Sequence, residues 1–383
     1  MKKTDTVLIG IGGFGNQYVR GVLDDPRAKA ARVVGACDPR PEGCDRLAEL
    51  KALGVPVFSN PQEMFAHVQA DLAVISTPIF LHVEHAALAF ANGCDVLLEK
   101  PIAATAEETA KIIASRDESG KQLAIGFQWC YDEAMKAFKA DILSGRFGKL
   151  VHMQAMVLWP RDLAYYARGG GWAGKRLSAD GRPLWDSVAS NATAHYIMNM
   201  LWLAGETPGA AAQLQPERVW TGHANEIETF DSVAFTGKIG SAEVLYCASH
   251  AVGPQDTVNP VFRYEFERGE AVFSEDEGGE LTVRLHDGSC VHYGRSVPNG
   301  ANIEKLFQVL DACQSGDWSS LPCPAEAALR HAQAMDSINR TPAQDLRPLR
   351  ALDEARNAWV VPGLGDWLKT IYATGVLPAS FSR

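Results

Sequence analysis

The first third of the chain alternates short apolar runs with amphipathic segments. The apolar runs are candidate β-strands at 6–10, 32–38, 71–77, 95–100 and 123–127. Capping residues mark helix starts between them, with Asn60 before Pro61 and Thr105 three residues before Glu108. Strands that alternate with helices form βαβ units and a parallel sheet. The pattern therefore predicts an α/β domain.

The pattern changes at about residue 149. Longer, alternating strands are predicted within 149–159, 232–251, 262–275 and 280–294, and helices at 301–314 and 322–339. The Gly- and Arg-rich segment 161–184 is interpreted as a long loop. The segment 185–205 is interpreted as one helix, in which Asn191, His195 and Asn199 share a face because they are four residues apart. A second, β-rich domain follows from this pattern.

Composition limits the classes of function. A length of 383 residues fits two domains, and a net charge of −10 argues against nucleic acid or an anionic membrane as a partner. Glycines interrupt the N-terminal apolar run, and no stretch approaches the roughly 18 apolar residues of a spanning helix, so we expect a cytoplasmic protein. The eight cysteines form no CxxC and are expected to be free thiols. His82 and His85 lack a partner motif, so no metal is expected.

A glycine motif follows the first predicted strand. Gly10, Gly12 and Gly15 have GxGxxG spacing, which allows a tight turn, close approach of a pyrophosphate and close helix packing. Asp38 ends the second predicted strand, where a carboxylate accepts hydrogen bonds from the adenosine ribose. Because Asp38 would repel a 2′-phosphate, the pattern favours NAD over NADP, although Arg40 keeps NADP open.

A second motif, Glu99-Lys100-Pro101, ends another strand of the same predicted sheet. Ligands of such sheets bind at the carboxyl ends of the strands, so Lys100 is predicted to face the cofactor or substrate. On these residues alone, a surface Lys–Glu pair explains the motif equally well.

Together the motifs resemble one known family. The ordered set "VLIGIGGFG", Asp38, "ISTPIFLHVEHAALAFANGCDVLLEKPIAATAEET" and "GFQWCYD" is similar to the Gfo/Idh/MocA family of NAD(P)-dependent oxidoreductases. The resemblance continues into "SGRFGKLVHMQA" and the helix containing His195. It implies a Rossmann domain, placed at 1–127, and a substrate-binding and oligomerisation α/β domain at 128–383 with an open, mostly antiparallel sheet. It also implies a homodimer or homotetramer formed through that sheet.

The resemblance also implies roles for particular residues. The predicted cofactor-binding residues are Gly10, Gly12, Gly13, Phe14, Gly15, Asp38, Arg40, Ser76, Thr77, Pro78, His82, Glu99, Lys100 and Gln128. In this family the EKP lysine lies beside the nicotinamide and the substrate hydroxyl, commonly with a cis peptide before the proline, and Lys100 matches it. A histidine on a helix of the second domain matches His195. Lys100 and His195 are therefore the predicted catalytic residues.

The flanks of this histidine depart from the family pattern. The family usually has an aspartate four residues earlier and often another three residues later, whereas this chain has Asn191 and Met198. An aspartate would stabilise the protonated imidazole, but an asparagine can only orient the ring. Either the base is weaker, or the EKP lysine carries the proton transfer, or another acid reaches the site, with Asp186 and Asp162 as candidates.

Aromatic and basic side chains surround these motifs, and they suggest a substrate class. They are Trp129, Tyr131, Trp159, Arg161, Tyr165, Tyr166, Arg168, Trp172, Lys175 and Arg176. Aromatic faces stack on sugar rings and arginines hold carboxylates or hydroxyls, although each aromatic residue could equally anchor its loop. The predicted substrate contacts are Trp129, Tyr131, Trp172, Asn191 and His195. We expect a sugar, cyclitol or related polyol, acidic members included.

Three functions fit these features. The first is an NAD(P)-dependent dehydrogenase or reductase acting on CH–OH groups, with Lys100 and His195 handling the proton. The second is an NAD-dependent glycoside hydrolase that uses transient oxidation and elimination. The third is a non-catalytic NAD-binding sensor, which the missing acids favour and the retained lysine and histidine oppose.

Overall fold

The structure is a computed structural model that describes residues 3–296 and 303–382. Its strands are β1 (Thr4–Ile9), β2 (Ala31–Cys37), β3 (Val57–Phe58), β4 (Leu72–Ile75), β5 (Asp95–Leu98), β6 (Leu123–Ile125), β7 (Leu150–Leu158), β8 (Leu214–His223), β9 (Ser232–Ile239), β10 (Ala242–Ser249), β11 (Val258–Phe266), β12 (Gly269–Ser274), β13 (Glu280–Leu285), β14 (Cys290–Arg295), β15 (Gln344–Asp345), β16 (Ala351–Asp353) and β17 (Ala358–Val360). Its α-helices are α1 (Gly15–Asp24), α2 (Leu47–Ala52), α3 (Pro61–His67), α4 (His82–Ala91), α5 (Ala106–Ser119), α6 (Glu133–Leu143), α7 (Leu163–Gly171), α8 (Ala194–Leu203), α9 (Glu304–Ser315), α10 (Ala325–Ile338) and α11 (Leu364–Thr374).

The chain divides into two compact units. Of the described residues, 3–132 and 303–329 form unit 1, and 133–296 and 330–382 form unit 2. The sequence placed a single boundary after residue 127, whereas the structural division includes α9 in unit 1. No helix in the described part of the chain is both long and apolar enough to cross a membrane.

Unit 1 contains the predicted parallel sheet. Its described strands lie in the order β3-β2-β1-β4-β5-β6, and all neighbours are parallel. The two predicted caps are present, since Asn60 Oδ1 accepts from Glu63 N at 2.8 Å and Thr105 Oγ1 accepts from Glu108 N at 3.1 Å. The prediction missed β3, because two residues are too few to show a period. The strand order reverses between β1 and β4, and ligands bind at such a switch point.

Unit 2 is built on one large mixed sheet. The order is β14-β13-β12-β11-β7-β10-β9-β8-β15, in which β7–β10 and β8–β15 are parallel and the other pairs antiparallel. Helix α11 packs Leu364, Leu368 and Ile371 into an apolar cluster with sheet residues such as Leu158 and Leu245. The predicted fold class is confirmed, with a Rossmann domain followed by an α/β domain whose open sheet is mostly antiparallel.

The loop predicted at 161–184 was wrong in its first half. Helix α7 occupies Leu163–Gly171, and Asp162 caps it by accepting from Tyr165 N at 2.9 Å. The three consecutive glycines at 169–171 obscured the helix in the sequence, because glycine is a poor helix former. The helix ends within these glycines.

The single helix predicted at 185–205 was also wrong. Residues Val188–Ala192 form a π-helical turn, in which Thr193 N donates to Val188 O at 2.9 Å, and α8 begins only at Ala194. Ser187 and Ser190 stabilise the turn through reciprocal side-chain hydrogen bonds to each other's backbone N–H. Residues 191 and 195 therefore lie in two consecutive helical segments rather than on one regular α-helix.

Candidate active site

The loop between β1 and α1 contains the glycine motif. Gly10 has a φ of +86°, and a Cβ there would lie 2.9 Å from Ser76 O. A Cβ on Gly15 would lie 2.2 Å from Gly10 O, so this position tolerates no side chain. By contrast, Gly13 faces open space, and the N–H groups of Gly13 and Phe14 make no hydrogen bond within the described residues. Free N–H donors at a helix N-terminus fit a pyrophosphate.

Asp38 lies against this loop. Its Oδ2 accepts from Ile11 N at 3.0 Å and from Gly12 N at 3.1 Å, and its Oδ1 accepts from Arg40 N at 2.9 Å. A carboxylate offers about four acceptor sites, so capacity remains for a ribose hydroxyl. Asp38 therefore holds the glycine loop, and its contact with a ribose stays a prediction. The Arg40 side chain is exposed.

The loop after β4 is tied to its neighbours by polar side chains. Ser76 Oγ donates to Gly10 O at 2.7 Å. The buried His82 ring lies between two loops, with Nε2 2.9 Å from Thr77 O and Nδ1 3.0 Å from Pro101 O. Burial lowers the pKa of His82. The ring lies between the loops after β4 and β5 and, when neutral, donates to one of these carbonyls; its contact with a cofactor stays a prediction.

Lys100 lies at the carboxyl end of β5, and its bond to Pro101 is cis, as the resemblance implied. The side chain of the preceding Glu99 is buried. Its Oε2 accepts from Lys100 N at 3.1 Å, its Oε1 accepts from Tyr18 OH at 2.6 Å, and it pairs with the ammonium of Lys305. Burial, reinforced by the Glu99 charge, raises the pKa of Tyr18, so the phenol keeps the proton that it donates.

Lys305 is a site residue that the sequence interpretation missed. It is fully buried on α9, and its Nζ donates to Gly126 O at 3.0 Å and lies 4.9 Å from the ring centroid of Phe14. Burial lowers the pKa of Lys305, and Glu99 opposes that shift. A Cβ on Gly126 would lie 3.0 Å from Glu99 Oε1 and 3.1 Å from Lys305 Nζ. Gly126 therefore leaves the space that this ion pair occupies.

One signal in the sequence could have pointed to Lys305. It lies four residues before Val309 and seven before Ala312, and all three are buried on one face of α9. A lysine on the apolar face of a helix requires a buried partner. The sequence does not name that partner, because Glu99 lies far away along the chain.

The remaining predicted residues of unit 1 follow β6 or β4. Gln128, Trp129 and Tyr131 lie in a short 3₁₀-helix and are all buried, with Trp129 and Tyr131 at 1% and 0% exposure. Pro78 precedes another 3₁₀ turn, Ile79–Leu81. The proposed cofactor contact of Gln128 and the substrate contacts of Trp129 and Tyr131 stay predictions.

In unit 2, the structure distinguishes the two acids considered for the histidine site. His195 is the second residue of α8 and is half-buried, whereas Asn191 lies in the π-helical turn. Asn191 Nδ2 donates to Asp186 Oδ1 at 2.8 Å, and Asp186 Oδ2 accepts from Gly174 N at 2.7 Å. Asp162 instead caps α7. The acid adjacent to Asn191 is therefore Asp186, which is buried.

Comparison with known proteins identifies the first domain. Residues 4–127 match the family model described as "Oxidoreductase family, NAD-binding Rossmann fold". These residues belong to the Gfo/Idh/MocA family. The resemblance drawn from the motifs is confirmed, and so is the expectation that this Gfo/Idh/MocA domain is of the NAD-binding type.

Relatives extend the similarity beyond the Gfo/Idh/MocA domain. The chain is 25% identical over 219 residues to inositol 2-dehydrogenase of Burkholderia cenocepacia, covering 57% of this chain and 59% of that protein. It is 26% identical over 204 residues to the rhizopine catabolism protein MocA of Rhizobium meliloti, covering 52% and 57%. The chain thus spans less than 60% of the length of these curated relatives.

Solved structures support the fold of both units. The WlbA dehydrogenase of Bordetella pertussis, crystallised with NADH and UDP-GlcNAcA, superposes with a TM-score of 0.71 at 22% identity, over 88% of this chain and 96% of that one. At this identity, the likeness shows a shared fold alone.

Proposed function

We propose that the chain is an NAD-dependent oxidoreductase that transfers a hydride between nicotinamide and a secondary hydroxyl or keto carbon of a sugar, cyclitol or related polyol. The observation that carries the proposal is the arrangement at one edge of the parallel sheet. The glycine loop follows β1, Asp38 follows β2 and Lys100 follows β5. Ligands of such sheets bind at this edge. The inositol 2-dehydrogenase relative supports a cyclitol-like substrate.

Bound NAD would supply the hydride acceptor or donor. The glycine loop would hold its pyrophosphate and Asp38 its ribose. The proposed role of Lys100 is to bind the substrate oxygen and stabilise the negative charge that develops as the hydroxyl proton leaves. Glu99 assists by holding Lys100 N, while Lys305 and Tyr18 keep the carboxylate directed into the interior.

The proposed role of His195 is to take or return the substrate proton. Asn191 would orient the imidazole through its amide, because Asp186 already accepts from the Asn191 NH₂ group and thereby fixes the side chain. An asparagine backed by a carboxylate orients a base without placing a full charge beside it. We therefore expect His195 to be a weaker base than one paired directly with aspartate.

The test uses the purified full-length chain with NAD or NADH and a panel of polyols and keto-sugars, followed at the nicotinamide absorbance. We expect turnover with at least one member, and a loss of kcat of about 100-fold or more in Lys100→Ala with little change in NAD affinity. Lys111→Ala is the matched control, because Lys111 lies on the exposed face of α5 and pairs with Glu107. No absorbance change across the panel would refute the proposal, and full activity in Lys100→Ala would refute the role of the lysine.

Assays on the same purified protein distinguish the two other functions considered. An NAD-dependent glycoside hydrolase would release the aglycone from chromogenic glycosides without added NAD. A sensor would bind NAD(H) tightly and turn over nothing. The cytoplasmic location and the homo-oligomer stay predictions.

A further inference from the structure

Two arginines, one just before α7 and one within it, lie against the same aromatic ring. The guanidinium carbon of Arg168 is 3.5 Å from the ring centroid of Tyr165 and 5.0 Å from that of Trp172. The guanidinium carbon of Arg161 is 5.0 Å from Tyr165 and 5.6 Å from Trp159. Residues 165 and 168 meet because they are three apart on a helix. We call Arg161, Tyr165 and Arg168 the arginine cluster.

The cations of this segment fall into two classes. Lys175 pairs with Glu228 at 3.0 Å, and Arg176 Nε donates to the backbone carbonyl of Glu228 at 2.8 Å. Arg161 and Arg168, in contrast, form no ion pair within residues 3–296 and 303–382, and Arg161 Nε is buried without a hydrogen-bond partner there. Two positive charges lie against one ring, and one of them has a buried donor without an acceptor. Such an arrangement favours the binding of an anion.

Two acids near the cluster, Asp186 and Asp162, already accept hydrogen bonds from other groups. Asp186 has its two oxygens bound by Asn191 Nδ2 and Gly174 N, and Asp162 caps α7. His250, whose ring is 5.5 Å from that of Tyr165, cannot add charge either. Burial, followed by the charge of Arg161, lowers the pKa of His250 to about 3, so the ring is neutral at physiological pH. In the described part of the chain, neither acid forms an ion pair with Arg161 or Arg168, so the guanidinium groups can still pair with an anionic ligand.

The cluster adjoins the segment that carries the proposed catalytic histidine. The ring of Trp159, on which Arg161 lies, meets the ring of Tyr196 edge-on at 5.8 Å, and Tyr196 follows His195 on α8. Tyr165 also lines a small cavity together with Asp186, the partner of the Asn191 amide. The two arginines thus belong to the same part of unit 2 as the histidine.

We propose that Arg161 and Arg168 bind an oxyanion of the substrate, either a carboxylate or a phosphate. A guanidinium presents N–H donors in a planar fork that matches two oxygens of such a group. The substrate of the proposed oxidoreductase is then an acidic or phosphorylated sugar or polyol, and this identification rests on the proposed function. Binding of the oxyanion itself does not.

The first experiment needs no turnover. Calorimetry on the full-length chain compares D-glucuronate, D-glucose 6-phosphate and neutral D-glucose. We expect at least one anionic probe to bind about tenfold or more tightly than glucose, because a hydrogen bond to a charged group contributes that much. The probe that binds distinguishes a carboxylate from a phosphate.

Variants assign the binding to the arginines. Arg161→Gln and Arg168→Gln should each weaken the anionic probe about tenfold or more, Arg168→Lys should weaken it less, and Lys175→Gln should not change it. Melting temperatures of all four variants show whether they are folded, and the Lys175 variant is the control because Glu228 already pairs with Lys175. Equal affinity for glucose and both anions would overturn the inference. Anion binding that is unchanged in both Arg161→Gln and Arg168→Gln would overturn it as well.

Measurements of turnover distinguish a failure of this inference from a failure of the proposed function. If the chain oxidises neutral and anionic substrates with equal kcat/KM, the function stands and the oxyanion inference fails. If the chain oxidises nothing but binds the anion through both arginines, the proposed function fails and the oxyanion site stands.

Discussion

Lys305 on α9 and Glu99 at the end of β5 form an ion pair that is almost completely buried, at 0% and 5% exposure. The pair has further partners, since Tyr18 donates to the carboxylate and Lys305 donates to Gly126 O. Glu99 also accepts from the backbone of Lys100, the proposed catalytic residue. This buried pair therefore connects α9 to the strand end that carries the proposed chemistry.

Removing one partner of this pair should destabilise unit 1 strongly. Lys305→Met leaves Glu99 buried without its counter-ion, and we expect a loss of about 3–5 kcal/mol in the free energy of unfolding. The double variant Glu99→Gln/Lys305→Met should lose less unfolding free energy than the single variant, because no buried charge remains. Denaturant unfolding measures both, with Lys111→Met as the exposed control. A single variant no less stable than that control would contradict the buried-pair interpretation.

Restoring the family's aspartate at position 191 should not by itself restore a stronger base. Asn191→Asp would place a second carboxylate where Asp186 Oδ1 now accepts an N–H at 2.8 Å. Repulsion raises the pKa of one acid of the pair above its unfolded value, so the variant should lose stability as the pH rises from about 5 to 7. Thermal melting at both pH values checks this. A stability difference from wild type that is the same at both would count against direct contact of residues 186 and 191.

The exchanged pair offers the complementary test. Asp186→Asn/Asn191→Asp keeps one carboxylate and one amide but moves the charge onto the residue four before His195. A nearby negative charge stabilises the imidazolium, so the acid limb of the kcat/KM profile should move to higher pH. A pH–rate profile of the folded double variant measures the shift. An unmoved acid limb would indicate that His195 is not the titrating base.

Lys139 stabilises the end of the histidine helix from within the core. It is 1% exposed, and its Nζ donates to Trp202 O at 2.6 Å, in the last turn of α8, and to Ala210 O at 2.7 Å. Lys139→Met keeps the length of the side chain but leaves the carbonyls of Trp202 and Ala210 without this donor. We expect a loss of about 2–4 kcal/mol in the free energy of unfolding. Lys136→Met, three residues earlier on α6 and paired with Glu133, should change it by less than about 1 kcal/mol.

Asp38 should influence both the affinity for NAD and the choice between NAD and NADP. Asp38→Ala removes the acceptor of Ile11 N and Gly12 N, and it removes the negative charge that would repel a 2′-phosphate. We expect the Kd for NADH to rise about tenfold or more and the preference for NADH over NADPH to shrink. Fluorescence titration with both dinucleotides measures this, with Asp24→Ala as the exposed control. An unchanged preference would show that Asp38 does not select the cofactor.

Local signals in the sequence were sufficient to predict the Rossmann domain. The glycine spacing, Asp38 and the caps at Asn60 and Thr105 each act within one strand–helix unit, so their consequences can be predicted from neighbouring residues. The same local approach failed at α7 and at the π-helical turn. At α7 the helix formed despite the glycines at 169–171, and at the π-helical turn the bonding between Ser187 and Ser190 outweighed the periodicity.

The sequence by itself determined the parallel sheet, the glycine loop with its acid, and the presence of a lysine and a histidine in positions suited to chemistry. Only the tertiary structure decided which charges meet. Lys305 pairs with Glu99, more than two hundred positions away, and Asp186 accepts a hydrogen bond from Asn191. Glu228 pairs with Lys175, whereas Arg161 and Arg168 lie against the ring of Tyr165. The reason is physical. Helix caps and glycine turns are local interactions, whereas the partner of a buried charge is chosen by packing between elements that are distant in the chain.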